Sequence, residues 1–121
     1  KQRLAKMGAG EFGLLLGGWG PDYNDPLTYG DLFASWNLNN RGRYSSAKMD
    51  ALINTAQNAT ATPDRMQAFG AIQQQIFDDV VILPMYERGV TYVVHPQLKG
   101  VKRRVIGAET DYTYAYIDPD A

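Results

Sequence analysis

The stretch Gly17-Gly18-Trp19-Gly20-Pro21-Asp22-Tyr23-Asn24-Asp25-Pro26 constrains the fold most, because no regular element passes through it. Three glycines and a proline within residues 17–21 open backbone geometry closed to other residues and interrupt helix and sheet alike. The apolar, uncharged run from Phe12 to Leu16 leads into it. That run fits a buried strand, at a length where helix remains open, and Gly10 and Gly17 bound it. The stretch then reads as a loop at a strand end, where binding groups concentrate on a rigid support. It holds one Trp, one Tyr and two carboxylates, Asp22 and Asp25. An aromatic beside an acid suits an amphipathic cation such as an amine. The alternative is a plain turn, in which Asp22 and Asn24 satisfy local backbone groups and Trp19 is core.

Composition narrows the rest. With 121 residues, 45% hydrophobic and 21% charged, the chain has the length of one domain and a globular balance. Its formal net charge of -1 gives no whole-molecule reason to expect nucleic acid or an anionic membrane as partner. The absence of cysteine removes disulfides, thiolate metal sites and cysteine nucleophiles from this stretch. No apolar run approaches the roughly 20 residues of a membrane span, and Lys1-Gln2-Arg3-Leu4 does not lead into a signal-peptide core. Without an initiator Met, and starting inside a helical pattern, the chain reads as a piece of a longer protein.

Along the chain, Leu4 and Met7 at helical spacing predict a first helix over residues 1–7, stopped by Gly8 or Gly10. After the loop, Leu27, Tyr29, Leu32, Phe33 and Trp36 form a stripe that predicts a short helix from about Thr28 to Ser35, with Asp31 facing away. Residues 37–44 (NLNNRGRY) read as a surface loop, whose Arg41 and Arg43 are either solvated or in contact with a ligand carboxylate. Ser45 or Ser46 caps a helix striped by Met49, Leu52, Ile53 and Ala56 and ending near Asn58. Thr62-Pro63-Asp64 supplies the cap, N1 proline and early acid of a longer helix striped by Met66, Phe69, Ile72, Ile76, Phe77 and Val80. These two helices make an antiparallel pair, and Gly70 inside the second predicts tight packing against a neighbour.

The remainder reads as β-structure. Val81 to Tyr86 predicts a short strand that Pro84 confines to a strand end, an edge or a bulge, and Val90 to Val94 predicts another strand, ending at His95-Pro96. Lys99-Gly100-Val101-Lys102-Arg103-Arg104 reads as an edge strand defended by charge, against a phosphate-binding patch as the alternative. Tyr112, Tyr114 and Tyr116 alternate with Thr113, Ala115 and Ile117 as a strand with one aromatic face.

Of the groups that carry chemistry, only a carboxylate pair is present. Asp22 and Asp25, three apart in a loop, leave a glycosidase-type acid and base open. His95, the sole histidine, has neither Cys nor a second His beside it and is poor material for a metal site or triad. The glycines of residues 17–20 run into Pro21 and Asp22 rather than Lys and Ser, which disfavours a phosphate cradle. What remains coherent is recognition: a carboxylate holding an ammonium, and exposed backbone groups pairing with an extended peptide.

Residues 18–26, the helix pair with Thr62-Pro63-Asp64-Arg65, then Ile82-Leu83-Pro84-Met85-Tyr86 and the terminal Tyr-rich segment resemble the C-terminal part of oligopeptide-binding proteins, the extracellular solute receptors of peptide ABC importers. The resemblance runs over nearly the whole chain. It implies an α/β (α+β) fragment of a two-lobed periplasmic-binding-protein-like fold, with a mixed small sheet and an antiparallel helix pair. Residues 1–121 would be one segment of a ligand-binding lobe, the strands from about 105 to 121 packing toward or returning to the other lobe. Carried over onto this sequence, the acid that receives a peptide's α-ammonium falls on Asp22, in the Trp-x-x-Asp-Tyr arrangement of residues 19–23. Trp19 would line the same end of the groove, and the backbone of Gly18 and Gly20 would bind the peptide main chain. Asp25 then reads as structural, capping the helix after Pro26.

The implied activity is non-catalytic capture of oligopeptides and delivery to permease subunits in the membrane, on the outer cell surface by a lipid anchor or in the periplasm. No cofactor and no nucleic acid are implied. Competing readings are a receptor of the same family for haem, a metal chelate or a signalling peptide, a hydrolase using Asp22 and Asp25, and a binder of anionic polymers through Lys99 to Arg104.

Overall fold

The structure is a computed structural model and describes residues 1–107 and 109–121. It is a mixed α/β fragment. The chain forms two units, Lys1–Gly20 with Asp25–Leu83 and Pro21–Asn24 with Pro84–Ala121.

The first unit is helical. Its helices are α1 (Gln2–Ala9), α2 (Leu27–Gly30), α3 (Ala47–Asn58) and α4 (Thr62–Asp78), with a 3-10 turn over Asp31–Phe33. The core lies where α3 and α4 pack as a helical hairpin. Met49, Ile53 and Ala56 of α3 meet Ala68, Phe69 and Ile72 of α4, and Ala34 joins them from the end of the 3-10 turn. The α3 positions follow the i, i+4, i+7 spacing that puts one stripe on one face. Ser46 starts α3 in extended backbone, and its hydroxyl accepts the Met49 N–H at 3.3 Å. Thr62 is the first helical residue of α4 rather than its cap, and Ala61 occupies the cap without a side-chain bond.

Four expectations fail here. The segment Phe12–Leu16 forms no strand, and Leu14 is 88% exposed. Apolar side chains that suit a sheet make a strand only beside a hydrogen-bonded neighbour, and the described residues provide none. The short helix after Pro26 buries Thr28 and Gly30, while Tyr29 and Trp36 of the expected stripe face solvent. A single helical turn tightening into 3-10 geometry turns a different face inward than an ideal 3.6-residue period predicts. Gly70 is exposed and a side chain there would meet nothing, so no close neighbour explains it. On α4 it is Ala68 and Gln75 that complete the buried face, while Met66 and Phe77, and Val80 just past the helix end, are exposed.

Two helix ends use the same device with different residues. After α1, Gly10 takes φ 72°, with Gly10 N–H donating to Met7 O and Glu11 N–H to Lys6 O. After α4, Val80 takes φ 50°, with Val80 N–H donating to Phe77 O and Val81 N–H to Ile76 O. Both are Schellman endings that satisfy orphan carbonyls. Glycine adopts that backbone freely, whereas a β-branched residue is strained there.

The second unit holds antiparallel β-structure in short pieces: β1 (Leu98–Lys99), β2 (Lys102–Arg103), β3 (Thr110–Asp111) and β4 (Tyr116–Ile117). Leu98 pairs with Ile117, and Lys102 with Asp111, so β2 and β3 nest inside β1 and β4 as one interrupted ribbon. The expected strands over residues 81–86 and 90–94 are absent, again for want of a partner, with Leu83 and Val93 exposed. The expected tyrosine strand survives only at Tyr116–Ile117. Asp111 Oδ1 accepts both the Thr113 N–H at 2.9 Å and the Thr113 hydroxyl at 2.5 Å, an Asx turn that curls the chain where alternation predicts extension. Gly100 makes the ribbon possible: its φ is 72° and a Cβ there would sit 1.9 Å from Tyr114 O.

Candidate functional site

The Gly17–Pro26 loop begins without regular structure. Gly18 and Gly20 are exposed, and nothing lies within 4 Å of where their Cβ atoms would be. Packing inside the described residues therefore does not require glycine at either position. Their small size leaves the main chain on both sides of Trp19 open to an approaching backbone.

Trp19 is neither core nor free. Its side chain is 39% exposed, while its indole N–H donates to Thr28 O at 2.8 Å, reaching a residue that is 2% exposed. The ring thus has one end tied to α2 and a face open to solvent, the amphipathic use to which Trp is suited. Asp22 occupies a bend and is exposed. It groups with the second unit, whereas Gly18, Trp19 and Gly20 group with the helical one.

Asp25 is tied to other residues of the helical unit. Its Oδ1 accepts the Leu27 N–H at 2.8 Å, which caps α2 as expected. The same carboxylate receives a two-pronged contact from Arg65, Nη2 to Oδ1 at 2.6 Å and Nη1 to Oδ2 at 2.7 Å. The Arg65 hydrogen bonds, followed by the Leu27 N–H, hold the Asp25 carboxyl below the ordinary carboxylate range. A carboxylate so committed is poor material for a general acid or base, which weighs against the hydrolase reading.

Arg65 is the residue the sequence did not single out. It lies 40 positions from Asp25, and its Nε–H also donates to Ala56 O at 2.9 Å. Ala56 sits in the last turn of α3, where carbonyls lack an intrahelical partner, so Arg65 satisfies one of them. Its guanidinium carbon lies 5.2 Å from the Phe69 ring centroid. No linear spacing links these partners; only the basic residue in the first turns of α4 was visible.

The other candidates are already occupied. Arg43 donates to Ala9 O at 2.5 Å and so closes the end of α1, and Arg41 donates to Asn39 at 3.1 Å. Within the second unit, Arg104 pairs with Asp111 at 2.5 Å, Arg103 lies 3.6 Å over the Tyr92 ring and bonds Thr110, and Lys102 lies 5.2 Å from the Tyr114 ring. The Thr113 hydroxyl and N–H, then Arg104, press the Asp111 carboxyl far down. His95 Nδ1 accepts the Gln97 N–H at 3.3 Å, a turn contact. Among the described residues no cluster of His, Cys, Asp and Glu could hold a metal ion, and no helix is long and apolar enough to cross a membrane. In the helical unit a groove lined by Tyr29, Phe33, Phe69, Ile72 and Ile76 contains no charged residue, so it offers no carboxylate to pair with an ammonium.

No protein-family model matches the chain. It is 29% identical to a dipeptide-binding protein of Lactococcus lactis subsp. cremoris over 97% of its length and 22% of that protein's. It is 28% identical to the periplasmic oligopeptide-binding protein OppA of Haemophilus influenzae over 76% of the chain and 17% of that protein. Among solved structures, the substrate-binding domain of an oligopeptide ABC transporter from Bacillus anthracis superposes with a TM-score of 0.85 at 33% identity, covering 96% of this chain and 23% of that one. The pheromone receptor PrgZ, solved for its mode of peptide binding, gives 0.83 at 25% identity over 95% and 22%. The chain thus spans about a fifth of the length of the curated relatives it matches. By sequence and by backbone it is a homologue of the oligopeptide- and dipeptide-binding proteins of ABC transporters, and its fold is part of their substrate-binding domain.

Proposed function

We propose that this chain is part of a receptor that captures peptides outside the cytoplasmic membrane and delivers them to an ABC importer. In this reading Asp22 receives the peptide's α-ammonium, Trp19 lines that end of the groove, and the backbone at Gly18 and Gly20 pairs with the peptide main chain. The observation that carries it is the loop itself, a glycine-flanked Trp held by its indole N–H with its neighbouring backbone left open. Backbone pairing gives affinity without reading side chains, which suits a receptor for many sequences.

The relatives described above are named for dipeptides, oligopeptides and a pheromone, which supports a peptide cargo over haem or a metal chelate. A signalling peptide falls in the same chemical class. The segment from about 105 to 121 packs toward the other lobe of the full-length protein, a placement supported by its exposed Val105, Tyr112, Tyr114, Tyr116 and Ile117. Permease subunits are the membrane partners. The receptor works in the periplasm or from a lipid anchor on the outer surface, and relatives named periplasmic support the former.

Calorimetry on the full-length protein tests the assignment of Asp22. A short peptide with a free amino end binds more tightly than its N-acetylated form, and Asp22→Asn costs about 1.5–3 kcal/mol with the free peptide only, the scale of a hydrogen bond to a charged group. Equal binding of both peptides by the wild type removes Asp22 from the amine site.

A further inference from the structure

Residues 90–94 of the second unit read Val-Thr-Tyr-Val-Val, an unbroken run of β-branched and aromatic residues, yet they belong to no strand. Among the described residues, no backbone–backbone hydrogen bond reaches any of them. The segment is held instead through one side chain. Arg103 of β2 lies 3.6 Å over the Tyr92 ring, and the Tyr92 hydroxyl donates to Glu109 Oε2 at 3.2 Å. Next to Tyr92, and so on the other side of the alternation, Val93 is 98% exposed.

Such a segment is a hazard if it stays open, because unpaired backbone beside apolar side chains is a template for any other chain. Edges that face water carry Lys, Glu or Pro to prevent this, as Lys99, Lys102, Arg103 and Arg104 do on the neighbouring ribbon. Residues 90–94 carry none of them.

We infer that residues 90–94 are a docking edge for another strand of the same polypeptide, supplied by the part of the receptor beyond these 121 residues. This rests on the reading above that the chain is part of a longer receptor. There is chain enough to supply that strand: these residues match about a fifth of the curated relatives' length and 23% of the substrate-binding domain from Bacillus anthracis. An intramolecular strand covers Val93 at all times and is held at high effective concentration by its own tether. Peptide cargo would leave Val93 bare in the empty receptor, and a second copy would do so on dilution.

Hydrogen exchange of the full-length receptor, read by mass spectrometry, tests the pairing. In the ligand-free protein, every second amide or more within residues 90–94 exchanges about a hundredfold slower than in an unstructured chain, since pairing along one edge protects alternate amides. The protection is unchanged by about tenfold dilution and by an added tripeptide. Val93→Thr keeps the β-branched shape and adds a hydroxyl where the inference places apolar contact, and it speeds exchange of residues 90–94 about fivefold or more. Exchange at the unstructured rate in the ligand-free receptor overturns the inference, and so does a Val93→Thr protein that exchanges like the wild type. Protection that appears only with tripeptide gives the edge to the cargo, and protection lost on dilution gives it to a second copy; either result overturns the inference too. Calorimetry with the same tripeptide separates this inference from the proposed function. A receptor that binds peptide while residues 90–94 exchange freely overturns the docking edge alone, and a full-length protein with a protected edge that binds no peptide overturns the proposed function alone.

Discussion

Replacing Asp25 by Ala removes three hydrogen bonds at one point: the cap on Leu27 N–H at 2.8 Å and the two prongs of Arg65. The side chains of both partners remain 29% exposed, so water screens the pair. Its worth lies between the roughly 0.2–1 kcal/mol of a surface pair and the roughly 1.5–3 kcal/mol of a buried charged hydrogen bond; about 1 kcal/mol is a fair discount. Losing the cap adds about 1 kcal/mol. Asp25→Ala therefore destabilises the packing of α2 against α3 and α4 by about 2 kcal/mol, which raises the local opening equilibrium about thirtyfold. Amide hydrogen exchange of residues 26–35 in the full-length protein reads this directly. In a double-mutant cycle with Arg65→Met, the coupling is about 1 kcal/mol.

The pH dependence of that difference follows from the direction of the Asp25 shift. A carboxyl held low in the folded state contributes stability that is fully present above its unfolded value, near 4, and that fades as pH falls through the folded value. The gap between wild type and Asp25→Ala is thus flat between about pH 5 and 8 and closes below about pH 4. Zero coupling to Arg65, or a gap that closes near neutrality, refutes the reasoning.

Two further perturbations test the fold. Ile53→Ala empties a fully buried position between α3 and α4 and costs about 3 kcal/mol, seen as faster exchange across residues 47–78. Val80→Gly removes a β-branched side chain from φ 50° at the end of α4 and stabilises that last turn by about 1 kcal/mol, seen as slower exchange at Val80 and Val81; faster exchange would show that the strain is not there.

The helix pair was legible in the sequence because its signals are local. Ser46, Pro63 and the stripe of Met49, Ile53 and Ala56 are read within one turn or a few, and the helices form where those marks stand. The strands were not legible in the same way. Phe12–Leu16, Val81–Tyr86 and Val90–Val94 have suitable side chains, yet a strand is defined by its neighbour, and no described residue pairs with them. The tyrosine alternation was broken by one short-range contact, Asp111 to Thr113, which spacing alone does not weigh against extension. Asp25 as a helix cap followed from Pro26 and the acid before it, and the Leu27 N–H bond is there. Its partner Arg65 did not follow, because a pairing across 40 residues exists only once α3 and α4 have packed.

The account turns on one carboxylate. Titration calorimetry of the full-length protein with a free and an N-acetylated tripeptide, wild type against Asp22→Asn, tests it most directly. The account predicts tenfold or greater preference for the free amine, about 1.5–3 kcal/mol, abolished by Asp22→Asn while the acetylated peptide binds both proteins alike. A wild type that binds both peptides equally, or an Asp22→Asn protein that keeps the full preference, contradicts it.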